Sequence, residues 1–462
     1  MKRIILNMMS LLIVALSFSS CNEWLKVNPE GQLPEDDMFE KESGFEAALN
    51  GVYIEMKSAT TYGENLSMTA IEYLVSSWTV KSESTAEYLG EFSYGNSDVK
   101  SLMEGIFQQQ YYEIAELNEI LANVDERKDV FKTEGMYEQI KGECLGLRAY
   151  IHFDILRMFG PVPGTETDEL ILPYVTTVSK DYNKYSNYAD FKSAFETDIE
   201  EAEALLTIAE EAGNYADYTS IRMNAEATRA LQARAALWYG ETTKAFDLAE
   251  GIINSTSTRL GTAADFQLGD YNLINEQILG LHVYNLSLTF DKYYSGQILY
   301  KGSDDVTVNT DLFGNSGTDI RETNLWNLFT GNSSQSVVTY SILKYDVSED
   351  EASKFSLDYR RIPLIRLSEM YLIAAETASS SDLANTYWNT FRASRNLSEL
   401  DLPDGETRKN EIAAEYRREF FAEGQAFYAY KRLNIDEDHF LWLPADAALN
   451  YVIPLPDSEV VQ

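Results

Sequence analysis

Aromatic side chains in polar stretches are the residues of this sequence best suited to bind a ligand. The chain has 30 tyrosines and 6 tryptophans. A flat ring packs on the apolar face of a sugar, and nearby amide and carboxylate groups bind the sugar hydroxyls. For Trp78 and Trp326 the alternative is local packing. The candidate ligand contacts lie between helical segments or in loop-rich sequence, and they are Trp78, Tyr88, Tyr94, Tyr293, Tyr294 and Trp326.

Residues that could catalyse a reaction or hold a cofactor form no recognisable motif. The sequence has no Gly-x-Ser-x-Gly, His-Glu-x-x-His, Gly-x-x-x-x-Gly-Lys-Ser/Thr or Gly-x-Gly-x-x-Gly. Cysteine and histidine are too few for a disulfide framework or a clustered zinc site, since they occur only as Cys21, Cys144, His152, His282 and His439. We expect no catalytic residue, no metal and no cofactor, and a buried structural thiol at Cys144.

The charge of the chain narrows the class of partner. Its 74 acidic and 37 basic residues give a net charge of −37, and the acidic residues are spread along the whole sequence. A nucleic-acid surface needs a basic stripe with interleaved aromatic residues, whereas the arginines here lie among carboxylates in helical segments. Nucleic acid is therefore not an expected partner, and neutral or weakly charged ligands fit better.

The N-terminus carries a targeting signal. Lys2 and Arg3 precede an apolar stretch over residues 4–16, which is short for a membrane-spanning helix, and the small residues Ser19 and Ser20 precede Cys21. This order resembles a bacterial lipobox, in which the cysteine is acylated after cleavage. We expect a signal peptide over residues 1–20 and a lipid anchor at Cys21 that holds the protein on a membrane. The alternative is an ordinary signal peptide with an incidental cysteine.

Helical periodicity dominates the rest of the chain. Apolar residues recur at helical spacing over residues 99–124, 137–159 and 188–206, and Gly160-Pro161 ends the second of these helices. Two later segments, 231–252 and 364–391, read as helical hairpins of the tetratricopeptide kind, with apolar stripes that form core.

The composition changes in the middle of the chain. Residues 256–358 are rich in Gly, Asn, Ser, Asp and Tyr, with short alternating pieces at 277–285 and 337–345 that predict small strands among long loops. We expect a single domain over residues 21–462, with an N-terminal helical part (21–255), a loop-rich insertion (256–358) and a C-terminal helical part (359–462). Insertions of this kind commonly carry the ligand site.

Several segments together resemble the SusD/RagB family of outer-membrane nutrient-binding lipoproteins. They are residues 21–25 at the mature start, the helix and its stop at 148–163, the hairpin helix at 361–376, the helix at 415–433 with its Arg-Arg-Glu and Glu-Gly pairs, and the Pro-rich end at 452–456, which looks like a terminal strand. Within these segments Asp154 with Arg157, and Arg366 with Glu369, stand at ion-pair spacing on a helix.

The resemblance implies a mainly α fold, built on tetratricopeptide-like helical hairpins with long loops and a few short strands. It also implies a lipid-anchored protein at the surface of the outer membrane, which binds a glycan and closes over a TonB-dependent, SusC-like barrel without catalysing a reaction. A peptide-binding member of the same family is one alternative. A protein that only makes protein contacts, as a scaffold, is another. A surface glycosidase or lyase is the last, because a glycosidase needs only two carboxylates at a set separation and the sequence has 74 acidic residues.

Overall fold

The computed structural model describes residues 38–214, 219–295, 299–302, 308–330, 338–347 and 359–459. The predicted signal peptide and Cys21 lie outside these residues. In chain order the described helices are α1 Glu42–Met56, α2 Ala70–Tyr73, α3 Thr85–Gly90, α4 Ser97–Val124, α5 Met136–Phe159, α6 Tyr188–Glu211, α7 Ala225–Trp238, α8 Thr242–Ser255, α9 Ala263–Gln267, α10 Leu286–Phe290, α11 Ile320–Asn324, α12 Leu367–Thr377, α13 Ser381–Ser394, α14 Gly405–Glu419 and α15 Gln425–Leu433. The mainly α prediction is confirmed.

The long helices lie where the sequence predicts, with two differences. Helix α6 continues to Glu211 instead of ending at 206, and the helix expected over 415–433 is divided by a turn at residues 420–424. The side chain of Asn96 caps α4 by accepting hydrogen bonds from the backbone amides of Asp98 and Val99. Helix α5 ends at Gly160, directly before Pro161, which has no amide donor to continue the helix. This helix packs between α4 and α6 and is buried on almost all sides from Gln139 onward, so it forms the centre of the scaffold.

Both predicted helical hairpins are present, but the second begins at Leu367, because residues 361–366, expected to be helical, form a strand. Helix α7 packs against α8 across a turn in which Gly240 has a φ of 72°, a conformation that favours glycine. Helix α12 packs against α13, and Trp388 and Phe391 of α13 are fully buried. Since α8 also packs against α12, the two hairpins form one continuous helical layer.

The strands are short and antiparallel. They are β1 Leu170–Pro173, β2 Tyr185–Asn187, β3 Gln277–His282, β4 Lys301–Gly302, β5 Trp326–Thr330, β6 Val338–Ile342 and β7 Arg361–Arg366. β1 pairs with β2, β3 pairs with β7, and the third sheet has the order β4-β6-β5. The strands predicted within 277–285 and 337–345 are therefore confirmed. The strand predicted at 452–456 is wrong, because that stretch has no strand partner and runs as irregular chain along the helices.

Three apolar cores lie in the described part of the chain. The largest core joins α1, α4, α5, α6, α7 and α8, and a second core lies under the loop-rich insertion and includes Trp78, Tyr294 and Phe421. The third core joins α12, α13 and α14 and includes Trp388 and Phe391. None of the helices in the described ranges combines the length and the hydropathy needed to cross a bilayer.

A buried network of charges links the C-terminal helices to the insertion. The Glu419 carboxylate, at the end of α14, accepts hydrogen bonds from Arg321 (2.8 Å), Arg366 (2.6 Å) and Arg395 (2.9 Å). Glu276 and Glu423 also pair with Arg366, and Asp319 and Glu415 pair with Arg321.

The two ion pairs expected at helical spacing have different outcomes. Asp154 and Arg157 form the expected pair within α5. The pair expected between Arg366 and Glu369 is wrong, because Arg366 is the last residue of β7 and its guanidinium contacts the buried network instead. Glu369 accepts from Arg234 of α7.

Truncation of the hairpin core should destabilise the fold. Leu367 and Phe391 are buried, so we expect Leu367→Ala and Phe391→Ala each to lower the free energy of unfolding by about 2–5 kcal/mol through the cavities they leave. Chemical denaturation of both variants measures this. The control is Leu400→Ala, whose exposed side chain should change stability by less than about 0.5 kcal/mol. Core variants that unfold like the control would contradict the packing.

Candidate functional site

The structure brings three of the candidate residues together in one aromatic cluster. The Trp78 ring lies 5.8 Å from the Tyr294 ring and 6.3 Å from the Trp326 ring, measured between centroids. Phe421, in the turn between α14 and α15, packs edge-on against both tryptophans at 4.9 and 5.0 Å. Residues that are far apart in sequence therefore form one patch, at the junction between the insertion and the helical scaffold.

Trp78 and Tyr294 form the interior of this cluster. Trp78 is 3% exposed and Tyr294 is fully buried. Their ring faces are covered by other side chains, so neither can stack on a ligand in this conformation. The burial favours the local-packing alternative for Trp78, and it gives Tyr294 the same role. Trp326 keeps part of its surface open to solvent and remains a candidate for ligand contact.

Tyr293 forms one polar edge of the patch. It is partly exposed, its hydroxyl donates to the Glu64 carboxylate, and Lys292 pairs with the same carboxylate at 3.0 Å. The Lys292 ammonium also lies 4.4 Å from the centroid of the Tyr293 ring. Partial burial and the hydrogen bond to Glu64 raise the pKa of Tyr293, so this hydroxyl stays protonated and can also accept from a ligand hydroxyl.

Trp442 forms a second edge, which the sequence did not reveal. Its indole N–H donates to Asp311 at 2.9 Å, and the Lys301 ammonium lies 3.6 Å from the ring centroid. Burial lowers the pKa of Lys301 to about 7, against a smaller opposing effect of Asp311. Trp442 and Trp78 both line a small cavity of about 60 Å³. No local pattern marks Trp442, since its role depends on contacts with β4 and with residue 311.

Two candidates pack in a different core from Trp78. Tyr94 is buried in the largest core, and its hydroxyl donates to the backbone carbonyl of Asn450 at 2.9 Å, which ties the chain near the C-terminus to the scaffold. Tyr88 is half-buried and packs against the same core, whereas Trp78 belongs to the core under the insertion.

Cys144, predicted to be a structural thiol, and His152 both lie in the interior. Cys144 is buried, and the His152 ring stacks on Tyr174 at 3.9 Å and accepts from the backbone amide of Val175. Burial lowers the pKa of His152 to about 3, which keeps the ring neutral. Within the ranges that the structure describes, no group of His, Cys, Asp or Glu is arranged to hold a metal ion.

The fold and the patch define a class of protein, a helical-hairpin scaffold with a candidate ligand site at the base of a loop-rich insertion. Similarity to known proteins identifies the family. One family model, described as "Starch-binding associating with outer membrane", matches residues 23–237, and another, described as "SusD family", matches residues 282–442. Between them the two models span most of the sequence. The chain belongs to the SusD family.

Solved structures show the same fold. A SusD-like carbohydrate binding protein from Bacteroides vulgatus ATCC 8482 superposes with a TM-score of 0.68 at 20% identity, covering 85% of this chain and 83% of its own. A SusD superfamily protein from Bacteroides fragilis gives a TM-score of 0.67 at 18% identity, covering 92% and 98%. The SusD-like protein P2 of Formosa agariphila is 23% identical over 154 residues, which span 33% of this chain and 29% of that protein.

Stability measurements should separate the two tryptophans of the cluster. We expect Trp78→Ala to lower the free energy of unfolding by about 3–5 kcal/mol, because it empties a buried site. Trp326→Ala should cost less, because part of that side chain already contacts solvent. Denaturant titration of both variants compares them directly. A smaller loss for Trp78→Ala than for Trp326→Ala would reverse the assigned roles.

Proposed function

We propose that this protein binds a nutrient oligosaccharide at the outer surface of a bacterial cell. The observation that carries the proposal is the aromatic patch, in which the partly exposed rings of Tyr293, Trp326 and Trp442 pack against one buried cluster. The family descriptions, together with the name of a structural relative as a carbohydrate binding protein, support this ligand class.

The patch has the groups that a sugar requires. Partly exposed rings offer apolar faces for stacking, and the carboxylates of Glu64 and Asp311 lie at its edges as acceptors for hydroxyl groups. Lys292 pairs with Glu64, and Lys301 lies over the Trp442 ring. These contacts weaken the electrostatic attraction of both lysines for an anionic ligand. A neutral oligosaccharide therefore suits the patch better than a strongly charged chain.

The proposal also covers the location of the protein and its partner. We propose that residues 1–20 are removed as a signal peptide, that Cys21 carries the lipid, and that residues 21–462 form a single domain at the outer membrane. The protein passes its ligand to a TonB-dependent, SusC-like barrel. The family description of association with the outer membrane supports this location, and the lipobox-like sequence before Cys21 supports the anchor.

A Cys21→Ala variant tests the anchor. The change removes the thiol that would carry the acyl chains, so we expect the variant to leave the membrane fraction and appear in the soluble fraction. Fractionation and immunoblotting of cells measure this. Cys144→Ala is the matched control, because it alters the other cysteine, which is buried in α5, and should leave the protein on the membrane. Sedimentation of Cys21→Ala with the outer membrane, as fully as the parent, would contradict lipidation at this residue.

Trp326→Ala tests the ligand contact. Loss of one stacking face is worth about 1.4 kcal/mol, so binding of a neutral oligosaccharide should weaken about tenfold. Calorimetric titration with neutral hexasaccharides of glucose, mannose, xylose and galactose identifies a ligand of the parent and then compares the variant. Trp388→Ala is the control, since this fully buried tryptophan of α13 should lower stability without changing the affinity of the folded fraction. Equal affinities for the parent and Trp326→Ala would remove Trp326 from the site.

The same incubations separate the alternatives. Depletion of the glycan without new reducing ends supports binding, and new reducing ends would show a glycosidase. If the parent binds peptides and none of the glycans, the peptide-binding alternative replaces the proposal.

A further inference from the structure

A groove on another face of the scaffold lies beside helix α4. It has a volume of about 940 Å³, near the upper end of the range for small-molecule sites. Its lining includes Phe107, Gln108 and Tyr111 of α4, Tyr182 of the loop between β1 and β2, and Tyr185 at the start of β2. The chain at residues 457–459 also lines it.

The walls of the groove are fixed by hydrogen bonds and an ion pair. The Tyr111 hydroxyl donates to the carbonyl of Pro173 at 2.8 Å, and the Tyr185 hydroxyl donates to Glu459 at 2.9 Å. Lys100 of α4 pairs with Asp457 at 3.0 Å. The helix, the β1-β2 loop and the C-terminal segment are thereby joined, so the groove is preformed.

Tyr182 is the most unusual residue of the groove. Its side chain is 103% exposed, more than any other large hydrophobic residue that the structure describes. Tyr182 is among the residues that line the groove, which also include Phe107 and Tyr111, whose ring centroids lie 4.8 Å apart. A fully exposed ring contributes nothing to folding by burial, so it is available to pack on a ligand in the groove.

The polar groups of the groove favour a neutral ligand with many hydroxyls. Gln108 and Asn183 supply amide donors and acceptors, and Asp181, Asp457 and Glu459 supply carboxylate acceptors. No lysine or arginine is among the lining side chains in the described part of the chain. Lys100 pairs with Asp457, so the carboxylates of Asp181 and Glu459 are the ones that disfavour an anionic polymer. Carboxylates also accept hydrogen bonds from uncharged hydroxyl groups.

The groove continues along the same helix. A second cavity of about 280 Å³ lies between α4, at Val99 and Met103, and the chain at residues 453–457, and it shares Asp457 with the groove. From Val99 to Tyr111 the helix rises about 18 Å, at 1.5 Å per residue. An elongated, partly aromatic channel of this kind fits an extended chain rather than a single small molecule.

We propose that this groove is a second binding site for a neutral oligosaccharide, separate from the aromatic patch at Trp326. The inference rests on the proposed function, because it assigns the same class of ligand to another surface. Tyr182 is the stacking ring of this site, and the side chains of Asn183 and Gln108 bind the sugar hydroxyls.

The test uses the full-length protein and the same four neutral hexasaccharides. Binding is measured by calorimetry in the parent, in Trp326→Ala, and in Trp326→Ala combined with Tyr182→Ala or with Tyr182→Phe. We expect Trp326→Ala to retain binding, the added Tyr182→Ala to weaken that remaining binding about tenfold, and the added Tyr182→Phe to leave it unchanged because the ring is kept. Tyr284→Ala in place of Tyr182→Ala is the control, since Tyr284 is 79% exposed and lies outside the groove.

Each outcome is decisive. If Trp326→Ala binds nothing, or if the added Tyr182→Ala binds as well as the added Tyr284→Ala, the groove is not a glycan site, and the proposed function stands on the patch alone. If Tyr182→Ala weakens binding and Trp326→Ala does not, the groove is the site and the patch is not. If the parent binds no hexasaccharide, both proposals fail. Binding of hexalysine that Tyr182→Ala abolishes, without glycan binding, would reassign the groove to basic peptides.

Discussion

The carboxylate of Glu419 is the constraint on which the arrangement of this protein depends. It is fully buried and contacts three arginines that come from α11, from the end of β7 and from the residue after α13. Burial alone would raise its pKa, but the guanidinium groups of Arg395 and Arg366 hold the pKa well below its ordinary value. An ionised carboxylate inside the protein is tolerated only when it is paired in this way, so the network fixes which segments meet around the end of α14.

The aromatic patch is built on the turn that follows Glu419. Phe421 of this turn packs against both Trp78 and Trp326, and the amides of Ala422 and Gly424 donate to Glu72 of α2 at 3.0 and 2.8 Å. Gly424 has a φ of 75°, and a side chain there would collide with the carbonyl of Leu66. The turn therefore connects the charge network to the aromatic patch through direct contacts. These contacts hold the exposed rings in place before a ligand binds.

Burial divides the aromatic residues of this protein into two kinds. Buried rings such as Trp78 and Tyr294 pack the insertion against the scaffold. The rings of Trp326, Trp442 and Tyr182 instead keep part or all of their surface exposed to solvent. The acidic surface acts on both proposed sites in the same way, because it disfavours anionic ligands and leaves acceptors for hydroxyl groups. An acidic protein with separate aromatic surfaces can bind a long neutral chain at more than one point. Once one site holds the chain, the effective concentration of the chain at the other site is high, and the overall affinity rises.

The sequence by itself determined the long helices and the two helical hairpins, because helical periodicity and the stop at Gly160-Pro161 act over a few residues. It did not determine every helix end, since α6 runs beyond residue 206 and β7 occupies the predicted start of the second hairpin. It also located two of the short strands in the insertion, β3 and β6, but not β4 or β5. The spacing rule failed for Arg366 and Glu369, because it holds only when both residues lie on one helix, whereas Arg366 belongs to β7. Only the tertiary structure decided which aromatic rings remain exposed. That choice depends on contacts such as Phe421 with Trp78, and Trp442 with Asp311, that join residues far apart in the chain and leave no local pattern.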